Sequence, residues 1–295
     1  MNISIKGIKS KLQIRNRRLS RSAGGDMFIL FLLGLGAAFT ALPLLLVIMN
    51  AFKPLDELFY FPPRFFVRNP TFRNFQDLVV LMGQSWIPIS RYLLNSLIIV
   101  IGGLAGNVFF GSMAAYSLSI FNFPGKKFFN EMIKLSLMFA AQVAAVANYV
   151  TIASLGWVDT YWAIIVPAWA FTLGVFIMKK FMDAMVSESL IEAARIDGAS
   201  EFRIYARIVM PIVKPAWLTL MILTFQQLWS VTGARFLYAE ELKTLPYALQ
   251  QIQAGGVARR GAGAAVMFLM MIVPVIVFVI NQSKIVQTMG TSGLD

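Results

Sequence analysis

The sequence predicts an all-α protein that crosses a membrane about six times, and three observations carry that expectation. Apolar residues come in runs of about 20, the length a helix needs to cross roughly 30 Å of hydrocarbon. They do not come as the short alternating segments of strands. Only 14% of the 295 residues are charged and 58% are hydrophobic, whereas a soluble domain carries about a quarter charged residues. The 26 basic residues lie mostly between the runs and favour one side of them. One large soluble core would need no such arrangement.

A basic segment, 1–26, comes first. Lys6, Lys9, Lys11, Arg15, Arg17, Arg18 and Arg21 precede the first apolar run and read as an orientation signal. Much of the +12 net charge is spent there, which argues against nucleic acid as a partner. The run Phe28 to Ala51 is too long for a signal-peptide core and leads into Lys53-Pro54, not into a small-residue cleavage site. Spans are expected near 27–51, 93–119, 132–153, 161–181, 214–234 and 264–283. The third is the weakest, because its alanine-rich stretch from Phe139 to Ala147 holds Gln142 and ends at Asn148. Residues 27–92 pair the first span with an exposed loop, 52–92, whose Pro54, Pro62, Pro63, Pro70 and Pro88 allow only short helices. Residues 93–283 form a core of five spans, and 284–295 a tail.

With the first residue inside, seventeen of the 26 basic residues fall in inner segments, Lys126, Lys127, Lys179, Lys180, Arg195, Arg203 and Arg207 among them. That bias puts both termini in the cytoplasm. Asn95, Asn107, Gln142, Asn148, Gln226 and Gln227 stand at span depth. Each is costly against lipid, so each faces another helix or a wet cavity. Interhelical hydrogen bonding is the plainer of those two roles; lining a translocation pathway is the other, open for Asn95, Gln142, Asn148, Gln226 and Gln227. Gly102, Gly103 and Gly106 suit close helix packing. Pro43, Pro167 and Pro274 are expected to bend their helices.

The segment from Ser187 to Pro211, between the fourth and fifth spans, is far more charged than its flanks and is not a span. Ser189 and Glu192 have capping-box spacing. The helix they start should end near Asp197-Gly198, where glycine permits a left-handed backbone. Ser200 can cap a second helix with Glu201 in its first turn. That helix would align Phe202, Tyr205 and Val209 and leave through Pro211. Small residues Ala193, Ala194, Gly198 and Ala199 at the bend would let another protein approach closely. Two readings of this segment stand side by side: a docking knob, or an amphipathic helix lying on the membrane surface.

Function classes can be excluded as well. There is no Cys and no His, so disulfides, thiol chemistry, imidazole bases and Cys or His metal sites are absent. No acidic residue sits mid-span, where an ion-coupled transporter usually needs one. No phosphate-binding loop occurs, since Gly125-Lys126-Lys127 lacks the earlier glycine and the hydroxyl residue.

Glu192-Ala193-Ala194, then Gly198, then Ile208-Val209-Met210-Pro211 resembles the EAA motif of bacterial ATP-binding-cassette (ABC) importer permeases, with Met210 where leucine is commoner. The wider Glu-Ala-Ala-Arg-Ile-Asp-Gly-Ala run is similar to the carbohydrate-uptake subfamily, in particular to maltose-permease-G-like subunits. Weaker matches follow in the same order. They are Asn95-Ser96-Leu97, Ala114 to Leu118, Phe123 to Lys127, Leu155 to Thr160, Thr244-Leu245-Pro246 and Gly290 to Gly293. Two departures stand out: Met185-Val186-Ser187 lacks the proline that commonly precedes the motif, and Ala140-Ala141 replaces another at the start of the third span.

The resemblance implies a permease in the bacterial cytoplasmic (inner) membrane that imports sugars or oligosaccharides, or another solute such as a polyol, glycerol phosphate or peptide. It implies no catalytic site and no cofactor in this chain, with ATP and Mg bound by a cytoplasmic ATPase dimer. The ATPase contact would fall on Glu192, Ala193, Ala194, Asp197, Gly198, Ala199 and Pro211, with Arg203 and Arg207 as salt-bridge donors or as contacts to membrane lipid headgroups. A second permease subunit, by family habit a different chain, would complete the pathway. An extracytoplasmic solute-binding protein would sit on 52–92 and 235–262. There Gln251, Gln253, Arg259 and Arg260 are the contact candidates, and the two arginines would favour an acidic sugar.

Overall fold

The computed structural model describes residues 23–83, 87–139, 143–256 and 259–291. Every regular element among them is helical. Contacts divide the chain into two units, 1–46 and 47–295. The described part of the first is most of α1 (Ala23–Phe52), whose large apolar side chains from Met27 to Leu46, such as Phe28 and Leu30, are exposed. A helix apolar on every side has lipid as its natural solvent.

In the second unit, α2 (Leu55–Leu58) and α3 (Arg73–Gly83) are the short helices of the proline-rich loop. The amide of Asn74 ties α3 back to the chain by donating to the carbonyls of Ala51 (2.9 Å) and Lys53 (2.7 Å). Through this unit's interior runs α4 (Ile89–Ile120), 32 residues long. It starts after Pro88, which has no amide to leave unbonded. Its end is followed by Pro124 and by Gly125, whose φ of +93° turns the chain. Next come α5 (Lys126–Met138), α6 (Ala145–Ser154), α7 (Trp162–Trp169) and α8 (Thr172–Met185). The knob comprises α9 (Glu188–Ile196), α10 (Glu201–Ile204), a π turn (Tyr205–Val209) and α11 (Met210–Ile212). The chain closes with α12 (Lys214–Trp229), α13 (Leu245–Ala254) and α14 (Arg260–Thr291).

Among the described residues four helices are long and apolar enough to cross a bilayer: 24–52, α4, α7 with α8, and 260–280. A fifth crossing appears if Glu201–Ile212 and Lys214–Trp229, bent by 80°, count as one. The expected third span, 132–153, is not one helix. α5 ends at Met138, Phe139 is extended, and α6 begins only at Ala145; Gln142 lies outside the described residues. Of the three span prolines, Pro167 stands beside a break at Ala170–Phe171, while α1 and α14 run on past Pro43 and Pro274.

Two buried clusters sit side by side along α4. One gathers Ile99, Ile164, Phe225, Trp229, Leu245 and Val266; the other gathers Tyr116, Met178, Ile191, Ile204, Val209 and Leu220. Close approach makes this packing tight. A β-carbon at Gly106 would overlap the Trp169 indole, and one at Gly103 would lie 2.5 Å from a Leu228 methyl.

Candidate functional site

The knob is built from two short helices joined by a glycine hinge. α9 starts two residues earlier than the capping-box spacing suggested: Ser187 is the N-cap, without a side-chain cap bond, and Ser189 lies inside the helix. At its C-terminus the amide of Gly198 (φ +77°) donates to Arg195 O and that of Ala199 to Ala194 O, both at 3.0 Å. This is the Schellman arrangement, and only a residue at ease with positive φ closes it without strain. Ser200 then occupies the N-cap of α10, again by backbone alone.

Below α10 the helix widens into the π turn and breaks at Val213, where the chain turns by 80° into α12. The expected stripe is buried only in part: Tyr205 and Val209 are buried, while Phe202 is 63% exposed, its ring centre 6.0 Å from that of Tyr205. π turns are rare and concentrate at functional positions.

Polar bonds fix the knob to α4. Arg195 Nε donates to Glu201 Oε1 at 2.7 Å, and Tyr116 Oη donates to Glu201 Oε2 at 2.8 Å. Ser112 Oγ and Tyr205 Oη share a hydrogen bond of 2.6 Å. The Arg195 guanidinium also lies 5.7 Å from the Phe121 ring centre. The hydrogen bond from Arg195 is the main force holding the Glu201 carboxyl below the usual glutamate range, and it raises Arg195 in turn.

What remains outside is a small-residue platform. Glu192, Ala193, Asp197 and Gly198 are exposed, Ala199 is half-buried and Ala194 is buried inward. Ile196 is 86% exposed beside them, although it is fully apolar. Arg203, Arg207 and Pro211 are also exposed, and neither arginine has an ion-pair partner among the described residues.

At the opposite end of α4, Asn95 is completely buried. Its amide donates to Glu241 O (2.8 Å) and Lys243 O (2.7 Å), and its carbonyl accepts from Tyr161 Oη (2.7 Å). Asn107 is similarly held, donating to Ala168 O and accepting from Thr224. Asn148, Gln226 and Gln227, by contrast, are exposed on their helices. Gln251 and Gln253 are exposed on α13, where Gln251 donates to Tyr247 Oη at 2.8 Å. Arg259 and Arg260 are exposed at the start of α14, Arg260 lying 5.3 Å from the Phe59 ring centre. Sequence reasoning did not single out Tyr92, Ser112 or Tyr116 as polar anchors. A lone hydroxyl in an apolar helix carries no spacing signal.

Residues 107–290 match the family described as "Binding-protein-dependent transport system inner membrane component". The chain belongs to this family. The match runs from the middle of α4 through α14 and includes the whole knob. Among relatives of this transport component is the "Probable ABC transporter permease protein YurM" of Bacillus subtilis, 34% identical over 218 residues, which are 72% of this chain and 70% of the relative. The arabinooligosaccharides transport system permease protein AraQ of Halalkalibacterium halodurans is 29% identical over 74% of this chain and 80% of the relative. The sn-glycerol-3-phosphate transport system permease protein UgpE of Pectobacterium atrosepticum is 29% identical over 74% and 75%. A crystal structure of a bacterial ABC transporter involved in import of the acidic polysaccharide alginate shares the fold, with TM-score 0.74, 20% identity, and coverage of 89% of this chain and 98% of that one.

Proposed function

We propose that this membrane component is one permease subunit of an ATP-driven importer for sugars or oligosaccharides. A cytoplasmic ATPase dimer docks on the 187–211 knob, and ATP and Mg reside on that partner. The observation that carries the reading is the exposed platform of Glu192, Ala193, Ile196 and Gly198. A fully apolar isoleucine left almost bare, among small residues on a stiff and capped double helix, suits a cleft on another protein. Both termini and the knob lie in the cytoplasm, in line with the basic bias of the inner segments.

Exposed Gln226, Gln227 and Asn148 suit the pathway, since a polar side chain at span depth needs water or a second subunit. That second permease is a different chain. The solute-binding protein sits at the other end, over 52–92 and 235–262, with Gln251, Gln253, Arg259 and Arg260 in reach. The sugar cargo draws support from the oligosaccharide relative, and the glycerol phosphate relative supports a phosphorylated polyol as the alternative. Titrating the partner binding protein with neutral sugars, acidic sugars and glycerol phosphate separates these cargoes.

Gly198→Leu tests the docking. Its positive φ strains any L side chain, and the new side chain points into open space where the partner must fit. Solute uptake should fall to background and the ATPase should no longer co-purify in mild detergent. Unchanged uptake together with a retained ATPase would refute the docking reading.

A further inference from the structure

Both loops assigned to partners above are fastened to the same helix. At one end of α4, Tyr116 and Ser112 bond to Glu201 and Tyr205 of the knob. At the other end, Tyr92 Oη donates to Glu240 Oε1 at 2.7 Å, Arg91 Nε donates to Glu241 O at 3.3 Å, and Ser96 Oγ accepts from the Leu245 amide at 2.8 Å. Asn95 adds its two bonds to the carbonyls of Glu241 and Lys243. The loop 239–245 is therefore pinned to α4 through both backbone and side chains, directly before α13 and its exposed Gln251 and Gln253. Tyr92 and Tyr116 stand 24 residues apart on one helix, a rise of roughly 36 Å and so about a bilayer's depth.

Three elements join the knob to the 239–245 loop. The pair α7 and α8 leads into the knob from Asp159, whose carboxylate accepts from the Tyr238 and Ala239 amides at 2.8 Å, but it is interrupted at Ala170–Phe171. The second is α12, which follows the knob in the chain, but it is reached only through the π turn and the 80° break at Val213. A hinge of that size absorbs displacement. The third is α4, helical without interruption from Ile89 to Ile120 and free of proline. Its flanks are also tight: Gly103 and Gly106 admit Leu228 and Trp169 at closest contact, and the Trp169 indole donates to Gly102 O at 3.0 Å. A stiff element with polar anchors at both ends moves as one body, whereas a hinged one does not have to.

We propose that α4 is the rod that carries displacement between the ATPase-facing knob and the binding-protein-facing loop, with Tyr116 and Tyr92 as the positioning residues at its ends. The inference rests on the docking reading above but is separable from it. Neither tyrosine touches a partner in that reading; each acts through a glutamate on the loop it holds.

The test uses the complete importer, with its ATPase, second permease and binding protein, in proteoliposomes, and reads ATP hydrolysed per solute imported. Tyr116→Phe and Tyr92→Phe each remove one hydroxyl and keep the ring that packs. Each should raise the ratio roughly two- to tenfold, the range expected when one hydrogen bond of ordinary net strength is lost from a coupled equilibrium. The double variant should be no worse than the weaker-coupled single variant, because a rod cut at one end is already cut. The ATPase content of the purified complex should not change. Wild-type ratios in either single variant, effects that multiply in the double, or loss of bound ATPase would each overturn the rod. If Gly198→Leu abolishes uptake while both tyrosine variants stay fully coupled, the docking reading survives and the rod alone falls.

Discussion

Glu201 shows at the scale of one residue how the knob keeps its shape. One carboxylate oxygen accepts a hydrogen bond from Arg195 across the glycine hinge, and the other accepts one from Tyr116 on a different helix. The same side chain thus fixes the angle between α9 and α10 and the seat of both against α4. Ion pairs this exposed contribute little by themselves in water; here the geometry matters more than the energy. The pairing with Arg195 sets the direction of the pH response. A glutamate whose folded-state pKa is depressed contributes stability that is complete above the ordinary value of about 4.3. That contribution is lost as pH falls through the lower folded value. Hydrogen exchange across 188–204, corrected for the intrinsic pH dependence, should therefore stay slow down to the ordinary glutamate pKa and accelerate only below it. In Glu201→Gln the acid-induced step should vanish. A step of full size in that variant would assign the transition to another group. At the other end of the molecule, Arg259 and Arg260 present two exposed charges beside α13. The double change Arg259→Ala with Arg260→Ala should slow import of an acidic oligosaccharide and spare a neutral one; equal rates would take the arginines out of cargo choice.

Among the elements, α4 bears the tightest packing, and that makes it the most sensitive to added volume. A methyl group at Gly106 would overlap Trp169, whose indole is already committed to Gly102 O. Gly106→Ala should cost about 1–3 kcal/mol through overpacking, seen as a lower unfolding midpoint in detergent. Gly156→Ala is the contrast. Its φ of +70° is strained for alanine, but no atom lies within 4 Å of the added methyl, so its cost is one of backbone strain alone. Much of this architecture was legible in the residues. Runs of about 20 apolar residues located α1, α4, α12 and α14, and the glycine after Asp197 located the end of α9. Three features were not legible, each for a physical reason. Alanine is the strongest helix former, so the stretch after Phe139 gave no cause to end α5 at Met138. The π turn at Tyr205–Val209 has ordinary helical composition, and what distinguishes it is the bond from Tyr205 to Ser112, a long-range contact. The role of Asn95 depends on carbonyls 146 and 148 residues away, which no local pattern contains.

At the scale of the whole molecule, the two proposed partner surfaces lie toward opposite ends of α4, and the charge of the connecting segments is the argument for which end faces the cytoplasm. Seventeen of the 26 basic residues fall on the knob side when 27–51, 93–119, 132–153, 161–181, 214–234 and 264–283 are taken as crossings. The broken pair α5 and α6 matters here. If it did not carry the chain across, the knob and the basic start of the chain would lie on opposite faces and the bias would disappear. The count of crossings and the placement of the knob are therefore one question. The protein is well suited to answering it, because it contains no cysteine and any introduced thiol reports without background. Single cysteines at Ile196 and Phe202, both largely exposed, should react with a membrane-impermeant maleimide only in inside-out vesicles. A cysteine at Gln253 should react only in right-side-out ones. A cysteine at Lys127, at the start of the broken pair, should side with Ile196, and one at Leu155, after its end, with Gln253. If Lys127 and Leu155 label from the same face, α5 and α6 form a re-entrant loop, the crossings become five, and a cytoplasmic knob then requires the basic segment 1–26 to lie outside.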